Sequence, residues 1–413
     1  MVTIKPLRAF RPTSALAPTV ASVPYDVVDR EEALELARDS KHSFLHVTKP
    51  EIDLPADTDP YSDYVYAKAA AALEAMIADG TLVQDPKPAF YIYALTMGQH
   101  TQTGLVLGAS VAEYEKNIVR KHEFTRPDKE NDRVRHIETT RAQTGKVFLV
   151  HKRTAALERE ISAVRETRPH TSFRAADGVV HELWTVSVPE RVATITAEFA
   201  KMDAIYIADG HHRSAAAARV AQAHRAAGTA SPDTESFLAV SFPENEVRIL
   251  PYNRVVQDLR GRSAEEFLVE VQKRFDVSPG KPVSSAARQI GMYLGGSVGG
   301  GTGAWWTLRT REVDLPSDPV ARLDVSLLQD RLLAPLLGIT DPRRDERIAF
   351  VGGIRGEDEL VKRVHALEAS VAFSMHPTSI GDLFAIADNE QVMPPKSTWF
   401  EPKLRDGLVV HRF

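Results

Sequence analysis

Apolar residues along the chain recur in two rhythms, short unbroken runs and longer stretches with helical spacing, and the two alternate from end to end. Asp29 is placed to cap a helix over "REEALELARDS", with Glu32 three residues on to complete a capping box. "SFLHV" reads as a strand. Pro60 opens an alanine-rich helix to about Ala78, and Gly80 stands where a terminator belongs. "AFYIYALTM" and "TGLVLGASVAEY" flank a short polar turn and predict a hairpin. A charged segment follows. Its start, interrupted by Pro127, reads as loop, and "NDRVRHIETTRAQ" reads as helix.

Alternation then continues. "VFLVH" predicts a strand, "TAALEREISAVRE" a helix, "VVHELWTVSV" a strand and "PERVATITAEFAKM" a helix. "AIYIA" is a strand that runs into Asp-Gly-His-His-Arg and a small-residue helix ending near Gly228. "SFLAVSF" and "EVRILPYNRVV" are strands, and Ser263 caps the helix "SAEEFLVEVQKRF". The C-terminal third adds the strands "AWWTLRT", "RIAFVGG" and "SVAFSMH" and the helices "ARLDVSLLQDRLLAPLLG", "EDELVKRVHAL" and "SIGDLFAIADNE". Such interleaving predicts a mixed α/β (α+β) fold. The turn-rich stretches near 226–235 and 277–303 suggest a division into residues 1–230 and 231–413.

Composition narrows the chemistry. With 51 basic and 56 acidic side chains the 413-residue chain is mildly acidic, which argues against bulk capture of nucleic acid. It has no cysteine, which excludes disulfides, thiol nucleophiles and thiolate zinc sites. No stretch approaches the roughly 20 apolar residues of a membrane-spanning helix, and the N-terminus lacks a signal-peptide core. The expectation is a soluble, cytoplasmic protein.

The corner "IYIADGHHRSAAAARV", Ile205–Val220, carries the densest chemistry. Gly210 permits a tight turn, and the helix N-terminus behind it offers N–H groups to an anion. Arg213 would add a bidentate phosphate donor. Asp209 would ligate Mg²⁺ or accept a hydroxyl proton, and His211 or His212 would hydrogen-bond the transferring group. The plainer alternative is that Asp209 caps the helix and the histidines are surface residues. Adjacent histidines point about 100° apart on a helix, so they do not make a paired metal face.

Residues 116–135 hold seven basic and four acidic side chains. Within them Glu123 is a candidate base, and Arg126, Lys129 and Arg133 are candidate anion clamps. A solvated charged loop is the alternative. In "MPPKSTWFEPK", Lys396, Ser397 and Thr398 resemble phosphate-binding chemistry without the glycine loop of a Walker motif. "GGSVGGGTG", Gly295–Gly303, precedes a strand and so reads as a hairpin tip. "PYDVV" suggests a turn and strand with no chemistry of its own.

Several of these stretches occur together: "PYDVV", "RKHEFTRPDKENDR", "AQTGKVFLV", "ADGHHRSAAA", "ILPYNRVV" and "MPPKSTWFEPKLRDGLVV". In that order they resemble the bacterial and archaeal family called domain of unknown function 1015. The DGHHR corner is also similar to the phosphate-binding element of the ParB/sulfiredoxin superfamily, a likeness covering Asp209, Gly210, His211, His212 and Arg213. Free-serine kinases belong to that superfamily. The resemblance implies a nucleotide-dependent phosphotransferase using ATP or ADP with Mg²⁺ on serine or a similar small hydroxy acid. A non-catalytic nucleotide or phospho-metabolite sensor is the rival reading. A ParB-like nucleic-acid partner is the third, and the acidic charge argues against it.

Overall fold

The computed structural model describes residues 1–282, 287–296 and 303–413. Helices and strands interleave throughout, and the fold is mixed α/β. Two compact units result, one of Met1–Val247 with Pro402–Phe413, the other of Arg248–Glu401. Residue 230 therefore falls inside the first unit. The next strand, Ser236–Pro243, is buried along its whole length and lies in the middle of that unit's sheet, between Val147–His151 and His100–Ser110.

The first unit is built on a nine-stranded sheet. Its order is Val119–Arg120, Ile205–Asp209, Val147–His151, Ser236–Pro243, His100–Ser110, Phe90–Met97, Val180–Val186 and Thr171–Arg174, with Ile4–Lys5 joined to His100–Ser110. Period-two alternation sends Phe90, Ile92, Leu105, Leu107, Leu149 and Ile207 into one core. The helices Ala155–Arg165 and Pro189–Ala200 cover it with Leu157, Ile161, Ile195 and Phe199. Each such side chain stabilises the fold by about 1.5–3 kcal/mol.

Two features of this sheet place the corner. Ile205–Asp209 pairs in parallel with Val119–Arg120, Arg120 standing opposite Tyr206. Chain leaving that neighbour therefore reaches His122 and Glu123 beside the end of the Ile205–Asp209 strand. On its other side Ile205–Asp209 pairs antiparallel with Val147–His151, with a register shift between Ile207 and Asp209. The His211–Ala226 helix follows, and its buried Ala216 and Val220 pack on Val134 and Ile137 of the Pro127–Thr140 helix. Small side chains let the two helices approach closely.

The second unit carries a six-stranded antiparallel sheet in the order Asp276–Pro279, Gly303–Arg309, Gln289–Gly295, Val371–Ser374, Tyr252–Val256 and Ile348–Gly352. Arg248–Leu250 pairs with Trp399–Glu401, so the chain enters and leaves this unit on adjacent strands.

Three expectations about elements are corrected. "SFLHV" is not a strand: Leu45–Thr48 is a helical turn, closed by the Thr48 hydroxyl donating to the Phe44 carbonyl. Pro127 does not sit in loop but opens the Pro127–Thr140 helix, since proline suits a first helical turn whose N–H groups lack partners anyway. The "ARLDVSLLQDRLLAPLLG" helix starts only at Asp324 and widens into a π turn at Gln329–Leu333. Pro335 has no N–H to donate and its ring crowds the preceding turn. Gly295 and Gly303 pair across a hairpin, and residues 297–302 of the predicted tip lie outside the described residues.

Candidate functional site

Gly210 adopts φ +94°, which only glycine takes without strain, and a Cβ there would stand 3.4 Å from both the Val147 Cα and the Arg213 guanidinium. Asp209 does not cap the helix behind it. One carboxylate oxygen accepts the Gly210 N–H at 2.8 Å and the other faces the Lys403 ammonium at 3.4 Å. No side chain caps the His211–Ala226 helix, so its first N–H groups keep their anion-binding character.

The parallel strand pair brings the charged segment to this corner. His122 and His211 meet edge to face with ring centres 4.6 Å apart. His211 Nδ1 lies 3.6 Å from a carboxylate oxygen of Glu123, whose side chain is 51% exposed. The Arg126 backbone N–H donates to His212 Nε2 at 3.0 Å. Burial pushes His122 down to about 4 and His211 well below the usual histidine range, so both are neutral at pH 7. Burial also lowers His212. Burial would raise Asp209, but the charges of Lys403 and Arg213 outweigh it and hold this carboxyl well below the usual range.

Arg213 does something other than expected. Its side chain is nine-tenths buried, donating to the Lys146 carbonyl at 2.6 Å and to both Asp26 oxygens at 3.2 and 2.9 Å. It is an internal tie between the helix, the Val147–His151 strand and the N-terminal "PYD" turn. Nearby, Tyr25 lies under the Arg133 guanidinium at 3.9 Å, and burial lifts its hydroxyl to about 12. Lys146, wholly buried, donates to the Arg405 carbonyl at 2.6 Å. Burial lowers its ammonium to about 8 and raises Asp406 to about 6. A cavity of ≈ 20 Å³ borders Tyr25, Arg133, Thr144, Gly145 and Arg213. That is room for about one water, not for a nucleotide.

Of the candidate anion clamps only the Arg133 side chain reaches this corner, where it borders the small cavity beside Arg213, and all three are already engaged. The Arg126 guanidinium pairs with Asp128 at 2.8 Å, Lys129 Nζ donates to the Tyr61 hydroxyl at 2.8 Å, and Arg133 pairs with Asp132 at 2.7 Å. Each is a contact within the protein, and that of Lys129 reaches a residue 68 positions away. Lys396, Ser397 and Thr398 belong to the second unit, where Ser397 Oγ donates to the Pro394 carbonyl at 2.6 Å. The corner instead gains Asp26 and Lys403, which the sequence reading left without roles. Both lie in quoted stretches, "PYDVV" and "MPPKSTWFEPKLRDGLVV". Their partners, Arg213 and Asp209, lie 187 and 194 positions away, beyond any local pattern.

As a magnesium site the corner fits poorly. Among the described residues no three His, Asp or Glu side chains are grouped to hold a metal. Asp209, the predicted ligand, already faces a cation.

The strand-turn-helix corner and the "HEF" segment that follows the Val119–Arg120 strand both lie in the part of the chain that a family profile covers. The profile of the family described as protein of unknown function (DUF1015) matches residues 4–326. The chain belongs to that family. No curated protein matches it. Among solved structures it is similar to SbnI with a C-terminal truncation from Staphylococcus aureus, at 12% identity over 74% of this chain and 86% of that one, TM-score 0.39. It is also similar to a free serine kinase in complex with AMP, at 11% identity over 71% and 86%, TM-score 0.35. A conserved hypothetical protein from Pyrococcus furiosus matches at 10% identity over 73% and 94%, TM-score 0.34. Among the described residues no helix is long and apolar enough to cross a membrane.

Proposed function

We propose that this member of the family is a nucleotide-dependent small-molecule phosphotransferase, acting on serine or a related hydroxy acid. The observation that carries the reading is the meeting of Glu123, His211, Asp209 and Lys403 at an uncapped helix N-terminus. Phosphoryl transfer needs positioning, charge stabilisation and a base more than covalent chemistry.

Glu123 is the better base. Its carboxylate is half-exposed and backed by neutral His211. Asp209 is held too strongly in its ionised form to take a proton at neutral pH. In the proposed step Glu123 takes the hydroxyl proton as the alcohol oxygen bonds to the terminal phosphorus, and the bond to the leaving nucleotide breaks. The His211 and His212 N–H groups and Lys403 face the charge on the transferred group, with Asp209 orienting Lys403. Arg213 positions the corner and does not touch substrate. Magnesium would arrive chelated to ATP or ADP, not as a resident ion.

The test is to incubate the protein with serine, Mg²⁺ and ATP or ADP, and to follow O-phosphoserine by mass spectrometry. Glu123→Gln should lower turnover by about 10²–10⁴-fold while leaving nucleotide binding in place. Nucleotide binding without any turnover in the parent protein would favour the sensor instead. Absence of both binding and turnover would remove the reading.

A further inference from the structure

Arg254 lies on the Tyr252–Val256 strand of the second unit and is 4% exposed. Among the described residues the two other arginines buried to this degree each face a carboxylate, Arg213 with Asp26 and Arg405 with Asp177. Arg254 does not. Its guanidinium donates to the carbonyls of Tyr252 and, at 3.1 Å, of Lys396, and lies over the Phe350 ring at 5.4 Å. These partners are dipoles and a π face, and they use two of its five N–H donors. Burial pulls the group down to about 10, opposed only by Tyr252. A charge taken out of water without a counter-charge is strongly unfavourable, and an apolar side chain would pack here without that penalty.

A second cation stands beside it. Lys396 is exposed, with Nζ 3.4 Å from the Tyr252 hydroxyl and 5.2 Å above that ring. Its backbone is held at φ +58°, the left-handed region that residues with side chains seldom occupy outside turns and ligand clamps. The turn is locked on its far side, where Thr378 Oγ1 donates to the Ser397 carbonyl at 2.9 Å. Trp399 packs edge to face on Tyr252 at 5.0 Å, and any Cβ at Gly352 would fall 2.9 Å from its ring. Two cations, a strained turn and a fitted aromatic wall thus share one face.

We propose that Arg254 and Lys396, walled by Tyr252 and Trp399, form an oxyanion-binding site in the second unit. It takes the phosphoryl or carboxylate group of a small molecule. The ligand supplies the counter-charge that Arg254 lacks, and its charge-assisted hydrogen bonds come from the guanidinium and the ammonium. This inference does not depend on phosphotransfer at the first unit's corner.

The full-length protein is titrated with inorganic phosphate and, in a parallel arm, with acetate, following tryptophan fluorescence because Trp399 adjoins the site. Saturation by phosphate alone assigns a phosphoryl ligand, saturation by acetate alone a carboxylate, and saturation by both a site that reads charge. Lys396→Met is expected to weaken binding by about tenfold or more, the scale of one lost charged hydrogen bond, with the circular dichroism spectrum unchanged. Arg254→Met should also lose binding and should raise the anion-free melting temperature. Ser263→Ala, which alters only a helix cap, should leave the titration unaltered. No saturable response to either anion overturns the proposal. So does a Lys396→Met protein that binds as tightly as its parent, a result that stands even where Arg254→Met fails to fold.

Discussion

Asp26 neutralises a guanidinium that has left water. Converting it to asparagine keeps the shape and removes the charge facing Arg213. Breaking a fully buried pair costs about 3–5 kcal/mol, but the Asp26 side chain is 40% exposed, so the expected loss is about 1–2 kcal/mol, read by urea unfolding. Buried histidines set the pH response. His122 and His136 are each held at about 4 by burial, against about 6.5 in the unfolded chain. As pH falls, the unfolded chain takes up these protons first. Stability is therefore lost from about pH 6.5 down to about pH 4, by about 2 kcal/mol per histidine at pH 5. Asp406 acts in the opposite sense. Its folded value, raised by burial to about 6, lies above the unfolded one, so its cost at pH 7 is relieved as pH falls through 6. Asp406→Asn should accordingly steepen the decline between pH 7 and pH 5 by about 1 kcal/mol, measured by unfolding at both values.

At the level of elements, the strand-turn-helix corner depends on Gly210. Alanine there combines a disfavoured φ with a Cβ pressed on Val147 and Arg213, and should destabilise the protein by about 1–3 kcal/mol in thermal melts. Ser263, with Glu266, closes a capping box, and Ser263→Ala should cost about 1 kcal/mol. Such caps were legible in sequence because their chemistry spans three residues, as it does for Asp29 and Glu32. The Ala155–Arg165 and Pro189–Ala200 helices were legible because their apolar stripes repeat over several turns. "SFLHV" was not, since five apolar-rich residues fit a strand or a helical turn equally well. The corner was visible as a motif and Glu123 as a candidate base, but the meeting of the two was not legible in the sequence. What the sequence hid was commitment. Whether a guanidinium turns outward to a ligand or inward to Asp26 is decided by strand order, and the Val119–Arg120 pairing with Ile205–Tyr206 leaves no trace in local spacing.

Across the whole molecule, the first unit is discontinuous in sequence. Pro402–Phe413 supplies the Lys403 partner of Asp209, the carbonyl acceptor of Lys146, the buried Val410 and the His411–Arg412 strand paired with Ala142–Gln143. A chain ending at Glu401 should lose about 5 kcal/mol or more from this unit. Chemical denaturation should show that transition displaced while the transition of Arg248–Glu401 stays in place. The divided unit also sets a timetable on the ribosome. Roughly 150 residues of other sequence emerge between Val247 and Pro402. At about 5–20 residues per second, the nascent sheet waits on the order of ten to thirty seconds for the strand and lysine that complete it. Throughout that interval the Ile205–Asp209 corner has no Lys403, so a newborn chain acquires its full set of charges only after the whole Arg248–Glu401 unit has been synthesised.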